Sequence, residues 1–172
     1  MMLKLLLRAV WRRPVTIAPP APDPAALERL GERVETVGRA RLGRSLTIRA
    51  VDAGSCNGCE LELHALNNAY YDLERFGIRF VASPRHADVL LITGPVTTNM
   101  AEAVKRTWEA TPEPKWVVAA GDCAVDGGEF KGGYAITGGA DAVVPVALCL
   151  PGCPPSPETL LEGLLALLER TR

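Results

Sequence analysis

The sequence predicts an α/β fold, a mainly parallel sheet with helices on both faces, plus an N-terminal helical arm. Three observations carry this. From residue 46 onward, short continuously apolar runs such as Val89-Leu90-Leu91-Ile92 alternate with amphipathic stretches of helical period. Strands buried on both faces read this way, and helices between them supply the crossovers. Hydrophobic residues make up 48% of the 172, enough to bury one core and too few residues for two full domains.

In order, residues 2–13 read as a short amphipathic helix. Leu3, Leu6, Leu7, Val10 and Trp11 share one face, and Lys4, Arg8 and Arg12 share the other. Such a helix suits a membrane–water interface, a groove on a partner, or packing on its own domain. Basic residues punctuate it and no small-residue cleavage site follows, so no secretory signal is expected. Pro14, Pro19, Pro20, Pro22 and Pro24 then make an extended spacer. The expected division is therefore 1–24 as helix and spacer, and 25–172 as an α/β domain with a leading helix. Asp23 and Pro24 have the pattern of an N-cap and first helical residue, and Gly43 that of a stop. Strands are expected over 46–51, 78–81, 89–93, 116–120 and 142–150, the last broken at Pro145. Helices are expected over 60–76, 98–110 and 157–170. The last of these carries the plainest stripe: Leu160, Leu161, Leu164, Leu165 and Leu168.

Charge and composition exclude several functions. Lys and Arg number 19 against 20 acids, for a net charge of −1, and aromatics are 5%, so neither polyanion binding nor base stacking is indicated. The balance hides an asymmetry: residues 1–50 carry ten basic and four acidic residues, and residues 51–172 nine basic and sixteen acidic. No phosphate-binding glycine motif and no G-x-S-x-G element occurs. No run of apolar residues is long enough to span a membrane.

The cysteines remain. Cys56, Cys59, Cys123 and Cys153 each follow an expected strand, in Gly- or Pro-rich turns leading toward helices. In a parallel sheet these turns emerge on one edge, the carboxyl ends of the strands, where such folds place their sites. Four thiolates suit an iron–sulfur cluster or a structural zinc. Zinc ribbons usually bring two close pairs on small knuckles, whereas here one C-x-x-C and two single cysteines lie on an existing core, so the cluster is favoured. A redox dithiol at Cys56–Cys59 would leave Cys123 and Cys153 unexplained, and four coincidental buried thiols are the remaining reading. Cys149 alternates along the last strand and is expected in the core rather than as a ligand.

Other candidates are weaker. Glu60 and Glu62 in the first helical turn after Cys59 either favour the positive helix end or form a proton-coupled carboxylate pair beside the site. Arg85 and His86, before the third strand, are ordinary surface groups or cations able to tune a cluster. Asp122 and Asp126 read as turn residues. No residue is assigned a catalytic role.

Four ordered motifs, G-S-C-N-G-C-E-L-E at 54–62, S-P-R-H-A-D-V-L-L-I-T-G-P-V-T at 83–97, G-D-C-A-V-D-G-G-E-F at 121–130 and V-P-V-A-L-C-L-P-G-C-P-P-S-P-E at 144–158, carry a resemblance. Over about residues 46–170 the chain resembles the small subunit of energy-converting, membrane-bound nickel–iron hydrogenases of the formate-hydrogenlyase type. The same superfamily holds the 20-kDa subunit of complex I. The C-x-x-C spacing is similar to hydrogenases, since complex I members have adjacent cysteines at this motif. The resemblance implies a flavodoxin-like domain carrying one 4Fe–4S cluster on Cys56, Cys59, Cys123 and Cys153, next to a catalytic centre in another subunit. The implied partners are a hydrogenase-type large subunit, a ferredoxin-like iron–sulfur subunit and a membrane-arm subunit, with no nucleic acid and no small-molecule substrate of its own. The implied location is peripheral, on the cytoplasmic face of the membrane. The resemblance leaves open a complex I-like enzyme, or a hydrogenase-related one whose large subunit has lost nickel and reduces another acceptor.

Overall fold

A computed structural model describes residues 23–170 of the chain; the expected helix over 2–13 and its proline spacer lie outside them. Helix α1, Pro24–Leu42, opens on Asp23, whose carboxylate accepts from the amides of Ala25 and Ala26, and closes on Gly43 in the left-handed conformation (φ 65°). Those two caps satisfy amides and carbonyls that the helix itself leaves unpaired.

The remaining elements are β1 (Leu46–Asp52), α2 (Gly58–Ala65), β2 (Ile78–Phe80), β3 (Val89–Thr93), β4 (Val96–Thr97), α3 (Thr98–Ala110), β5 (Trp116–Ala120), α4 (Asp122–Asp126), β6 (Ile136–Gly138), β7 (Leu148–Leu150) and α5 (Pro157–Arg170), with short 3₁₀ turns between some of them. Five strands form one parallel sheet in the order β2-β1-β3-β5-β7, and β4 pairs with β6 in a separate antiparallel ribbon. Counting only the main sheet, the spatial order is 2-1-3-4-5, the doubly wound flavodoxin-like arrangement.

All five residues of β3, the middle strand, are buried. Two apolar layers sandwich the sheet. One unites Leu46, Ile48, Leu91 and Val118 with Leu27 and Val34 of α1 and the leucines of α5. The other joins Leu90, Ile92, Val117 and Ala119 to Val104 of α3. Leu160, Leu161, Leu164, Leu165 and Leu168 are all buried, each contributing about 2 kcal/mol from removal of apolar surface.

The sequence reading differs from the structure in three places. The helix expected over 60–76 stops at Ala65, and only a 3₁₀ turn, Leu73–Phe76, follows. The amides of Asn67 and Asn68 turn to i−3 carbonyls, and the Asn68 side-chain oxygen then accepts from the amides of Tyr70 and Tyr71 at 2.8 and 3.0 Å, so the helix does not resume. The strand expected over 142–150 forms only at Leu148–Leu150, with a 3₁₀ turn, Ala140–Ala142, ahead of it. Third, Cys149 is exposed rather than in the core. It lies on the edge strand, where α5 covers the face presented by Leu150 and the alternate residue points away from that cover.

Candidate metal centre

The first loop of the site leaves β1 through a carboxylate turn. Asp52 Oδ1 accepts from the amides of Gly54 and Ser55 at 2.8 and 2.7 Å. Ser55 Oγ then accepts from the Asn57 amide and donates to Glu60 Oε2 at 2.6 Å. These bonds reverse the chain within a few residues and set Cys56 and Cys59 on either side of the start of α2. Asn57 takes the left-handed conformation (φ 71°), tolerable for Asn because its short polar side chain suits such turns.

The second and third loops are sewn to each other. The Gly121 amide donates to Leu150 O at 2.8 Å, and the Asp122 amide donates to Gly152 O at 2.9 Å. The Gly152 amide returns a bond to Asp122 Oδ1 at 2.8 Å. Cys123, in α4, and Cys153, just past β7, are thus fixed relative to one another although thirty residues of sequence separate them. Asp122 acts here through its side-chain oxygen as a clamp. Asp126 has a similar local task, accepting from the Gly128 amide and from Lys131 Nζ, which holds its carboxyl below the usual range.

Two glycines meet sulfur directly. A Cβ on Gly121 (φ 93°) would stand 2.6 Å from Cys59 Sγ, and one on Gly128 (φ 49°) 2.8 Å from Cys123 Sγ. Backbone therefore approaches the two half-buried thiols more closely than any residue with a side chain allows. Sequence reasoning took the glycines of the site as a group; the structure singles out Gly121 and Gly128, and their only sequence signal is adjacency to Gly-Asp-Cys and its following turn.

The other three thiols act on Cys59 through charge. Cys59 is pushed up to about 11, first by burial and then by the negative charge of Glu60, Cys123, Cys56 and Cys153. Cys123 is raised too, by burial first and then by Cys153. A thiol raised in this way stays protonated in the free chain, and a bound metal would displace its proton. Among the described residues, no three His, Cys, Asp or Glu side chains stand close enough to hold a single metal ion.

The other expected residues fall in two places. Glu60 is half-buried beside this site, with Oε2 bonded to Ser55 and Oε1 buried without a partner. It also lines a cavity of about 200 Å³ with Ala50, Leu63, His64, Asn67 and Phe80. Glu62 follows on α2, half-buried. Arg85 and His86 sit in the 3₁₀ turn that enters β3 at its amino end, about 17 Å along the strand from the edge that carries the cysteines. The structure brings the four cysteines and Glu60 together and sets Arg85 and His86 apart from them.

The family model described as "NADH ubiquinone oxidoreductase, 20 Kd subunit" matches residues 56–167. The chain belongs to this family. It is 46% identical over 129 residues to the "Probable membrane-bound hydrogenase subunit mbhJ" of Pyrococcus furiosus, covering 75% of this chain and 77% of that protein. It is also 46% identical over 133 residues to formate hydrogenlyase subunit 7 of Escherichia coli, covering 76% of this chain and 52% of that protein. Among solved structures it is similar to a chain of the membrane-bound sulfane sulfur reductase, an archaeal respiratory membrane complex. That match has a TM-score of 0.66 and 38% identity, and covers 78% of this chain and 74% of the other. The Pyrococcus furiosus relative and the solved one thus belong to membrane-bound complexes. No helix among the described residues is long and apolar enough to cross a membrane.

Proposed function

We propose that this chain is an electron-transfer subunit of a membrane-bound nickel–iron hydrogenase complex, holding one 4Fe–4S cluster on Cys56, Cys59, Cys123 and Cys153. The observation that carries the reading is the convergence of four thiols from three separate loops on the carboxyl edge of one sheet. The donor set fits: four thiols are what such a cluster takes, and Gly121 and Gly128 keep the space against two of the sulfurs clear. When bound, the cluster supplies a one-electron redox centre whose potential answers to burial and to hydrogen bonds on its sulfurs.

This chain's residues would do the rest. The Asp52 turn and the Asp122–Gly152 clamp orient the thiols, and the Gly-rich loops keep side chains away from them. Glu60, tied to Ser55, places a carboxylate oxygen without a partner beside Cys59. Leu61, Phe130 and Tyr134 follow Cys59 and Cys123 in sequence and are 60%, 46% and 104% exposed, an apolar rim that suits coverage by a catalytic large subunit. Turnover by this chain alone is not expected. A ferredoxin-like subunit and a membrane-arm subunit complete the proposed assembly, with this chain peripheral on the cytoplasmic face.

A second reading has its own observation: the solved relative belongs to a sulfane sulfur reductase. In that reading the same subunit feeds a large subunit that reduces an acceptor other than protons. The test is purification of the complex through a tag on this chain, with hydrogen oxidation assayed and nickel measured. Nickel in the large subunit, with hydrogen-dependent dye reduction that is lost in Cys123→Ala complexes while the nickel stays, supports the first reading. A nickel-free complex that reduces polysulfide or quinone overturns it in favour of the second.

A further inference from the structure

We propose that the β1–β2 corner of the sheet, at the end away from the cysteines, docks a carboxylate-bearing segment of another protein through Arg49, Arg79 and Arg85.

Thr47 and Arg79 are register partners in β1 and β2, so their side chains lie on the same face, and Arg49 is the next residue of β1 on that face. It is the face opposite α1 and α5, because Leu46 and Ile48 alternate with these residues and belong to the apolar layer under those helices. The connection from β2 to β3 runs over it, since the single proton of Thr47 Oγ1 is shared between His86 O at 2.6 Å and Asp88 Oδ2 at 2.8 Å. Arg85 is therefore carried in the segment laid across the strands that bear Arg49 and Arg79.

What marks the corner is that its arginines lack carboxylate partners although the residues after 50 are rich in acids. Residues 51–172 hold sixteen acidic and nine basic residues. Six other described arginines each meet a carboxylate: Arg29, Arg33, Arg39, Arg44, Arg75 and Arg106. Among the described residues, Arg49, Arg79 and Arg85 meet none, and Nε of Arg49 is buried without any hydrogen-bond partner. Asp88, at the end of the same connection, is already taken by Arg44 and Thr47, and Glu102 of α3 by Arg106. A buried guanidinium nitrogen lacking an acceptor costs about 1–3 kcal/mol, which an incoming anion would recover. Three guanidiniums at one corner suit planar two-oxygen acceptors. The half-buried Arg49, with its Nε out of solvent, favours a single narrow carboxylate side chain over the broad surface of a membrane. Charge complementarity thus names the occupant: an Asp- or Glu-rich segment of another subunit.

The inference rests on this chain working inside a complex, and iron content measured on the same preparations keeps its outcome separate from that of the cluster. The test uses the intact complex, purified through a tag on this chain carrying Arg79→Lys or Arg85→Lys. Carbodiimide treatment then joins an introduced amine to any carboxylate in contact, and mass spectrometry identifies the pair. Cross-links from both positions to Asp or Glu in one segment of a different subunit are expected. In the double variant Arg79→Glu with Arg85→Glu, retention of that subunit should fall about tenfold, more steeply in salt, with iron content and melting of this chain unchanged. Absence of such cross-links overturns the proposal, as do cross-links to a second copy of this chain. Loss of binding to vesicles of phosphatidylcholine and phosphatidylglycerol in the double variant, without cross-links, assigns the corner to lipid and overturns it too.

Discussion

At the amino end of the sheet, Asp88 is buried and saturated: Arg44, the Thr47 amide and the Thr47 hydroxyl all donate to it. At the carboxyl end, five cysteines carry free thiols, Cys56 and Cys153 are exposed, and Gly121 and Gly128 take positive φ against the sulfurs of Cys59 and Cys123. The same strands thus finish one way for stability and the other way for chemistry. Around Asp88 the polar groups satisfy one another. Those at the carboxyl end hold loops in place around thiols that are free of disulfides, as a site that takes its partner from outside requires.

Substitutions can break or sharpen that contrast. The largest expected effect is Gly121→Ala, which meets both an unfavourable φ and the Cys59 sulfur. Iron incorporation should fall by most of its value, read by iron analysis after reconstitution. Gly43→Ala is the control, since it has positive φ (65°) and no atom within 4 Å of the added carbon. It should cost about 1 kcal/mol in a denaturant melt and leave iron content unchanged. Equal iron loss in both variants would remove the special status given to the sulfur contact.

Asp88→Ala comes next. It strands the buried Thr47 amide and frees Arg44, and should lower stability by about 3 kcal/mol with iron per folded chain unaltered. A third test uses pH. In the metal-free chain Cys59 is held at about 11 against an ordinary 9.0, so its thiolate fraction at pH 8 is about ten- to a hundredfold below that of an ordinary thiol. Iodoacetamide should label exposed Cys149 well before Cys59, and the gap should close toward pH 11. Because the folded pKa is raised, the contribution of this thiol to stability is complete below pH 9 and is lost as pH rises through 11. The smallest effect belongs to Arg33→Ala. The Arg33–Glu169 bridge between α1 and α5 spans 2.9 Å on an exposed surface and should be worth no more than about 0.5 kcal/mol.

Much of the frame was legible in the sequence because its signals are local. The apolar runs at β3 and β5 and the leucine stripe of α5 match the structure, with Leu160, Leu161, Leu164, Leu165 and Leu168 all buried. The grouping of Cys56, Cys59, Cys123 and Cys153 at one edge followed from the rule that loops after parallel strands emerge together. What stayed hidden depends on side chains acting at a distance. Asn68 captures two amides just past the end of a periodic helix, Asp122 joins two loops thirty residues apart, and β4 and β6 are too short to show a pattern. Cys149 was misplaced because alternation gives the two faces of a strand but not which face of an edge strand is covered. Arg85 and His86 lie at the opposite end of the sheet from the cysteines.

The most direct test of the central claim is iron, sulfide and zinc analysis, with paramagnetic resonance of the reduced protein, on the full chain and on Cys123→Ala and Cys149→Ala. The account predicts four irons and four sulfides per chain in the parent and in Cys149→Ala, and loss of both in Cys123→Ala. Zinc in place of iron, or a cluster that survives Cys123→Ala and disappears in Cys149→Ala, would contradict it.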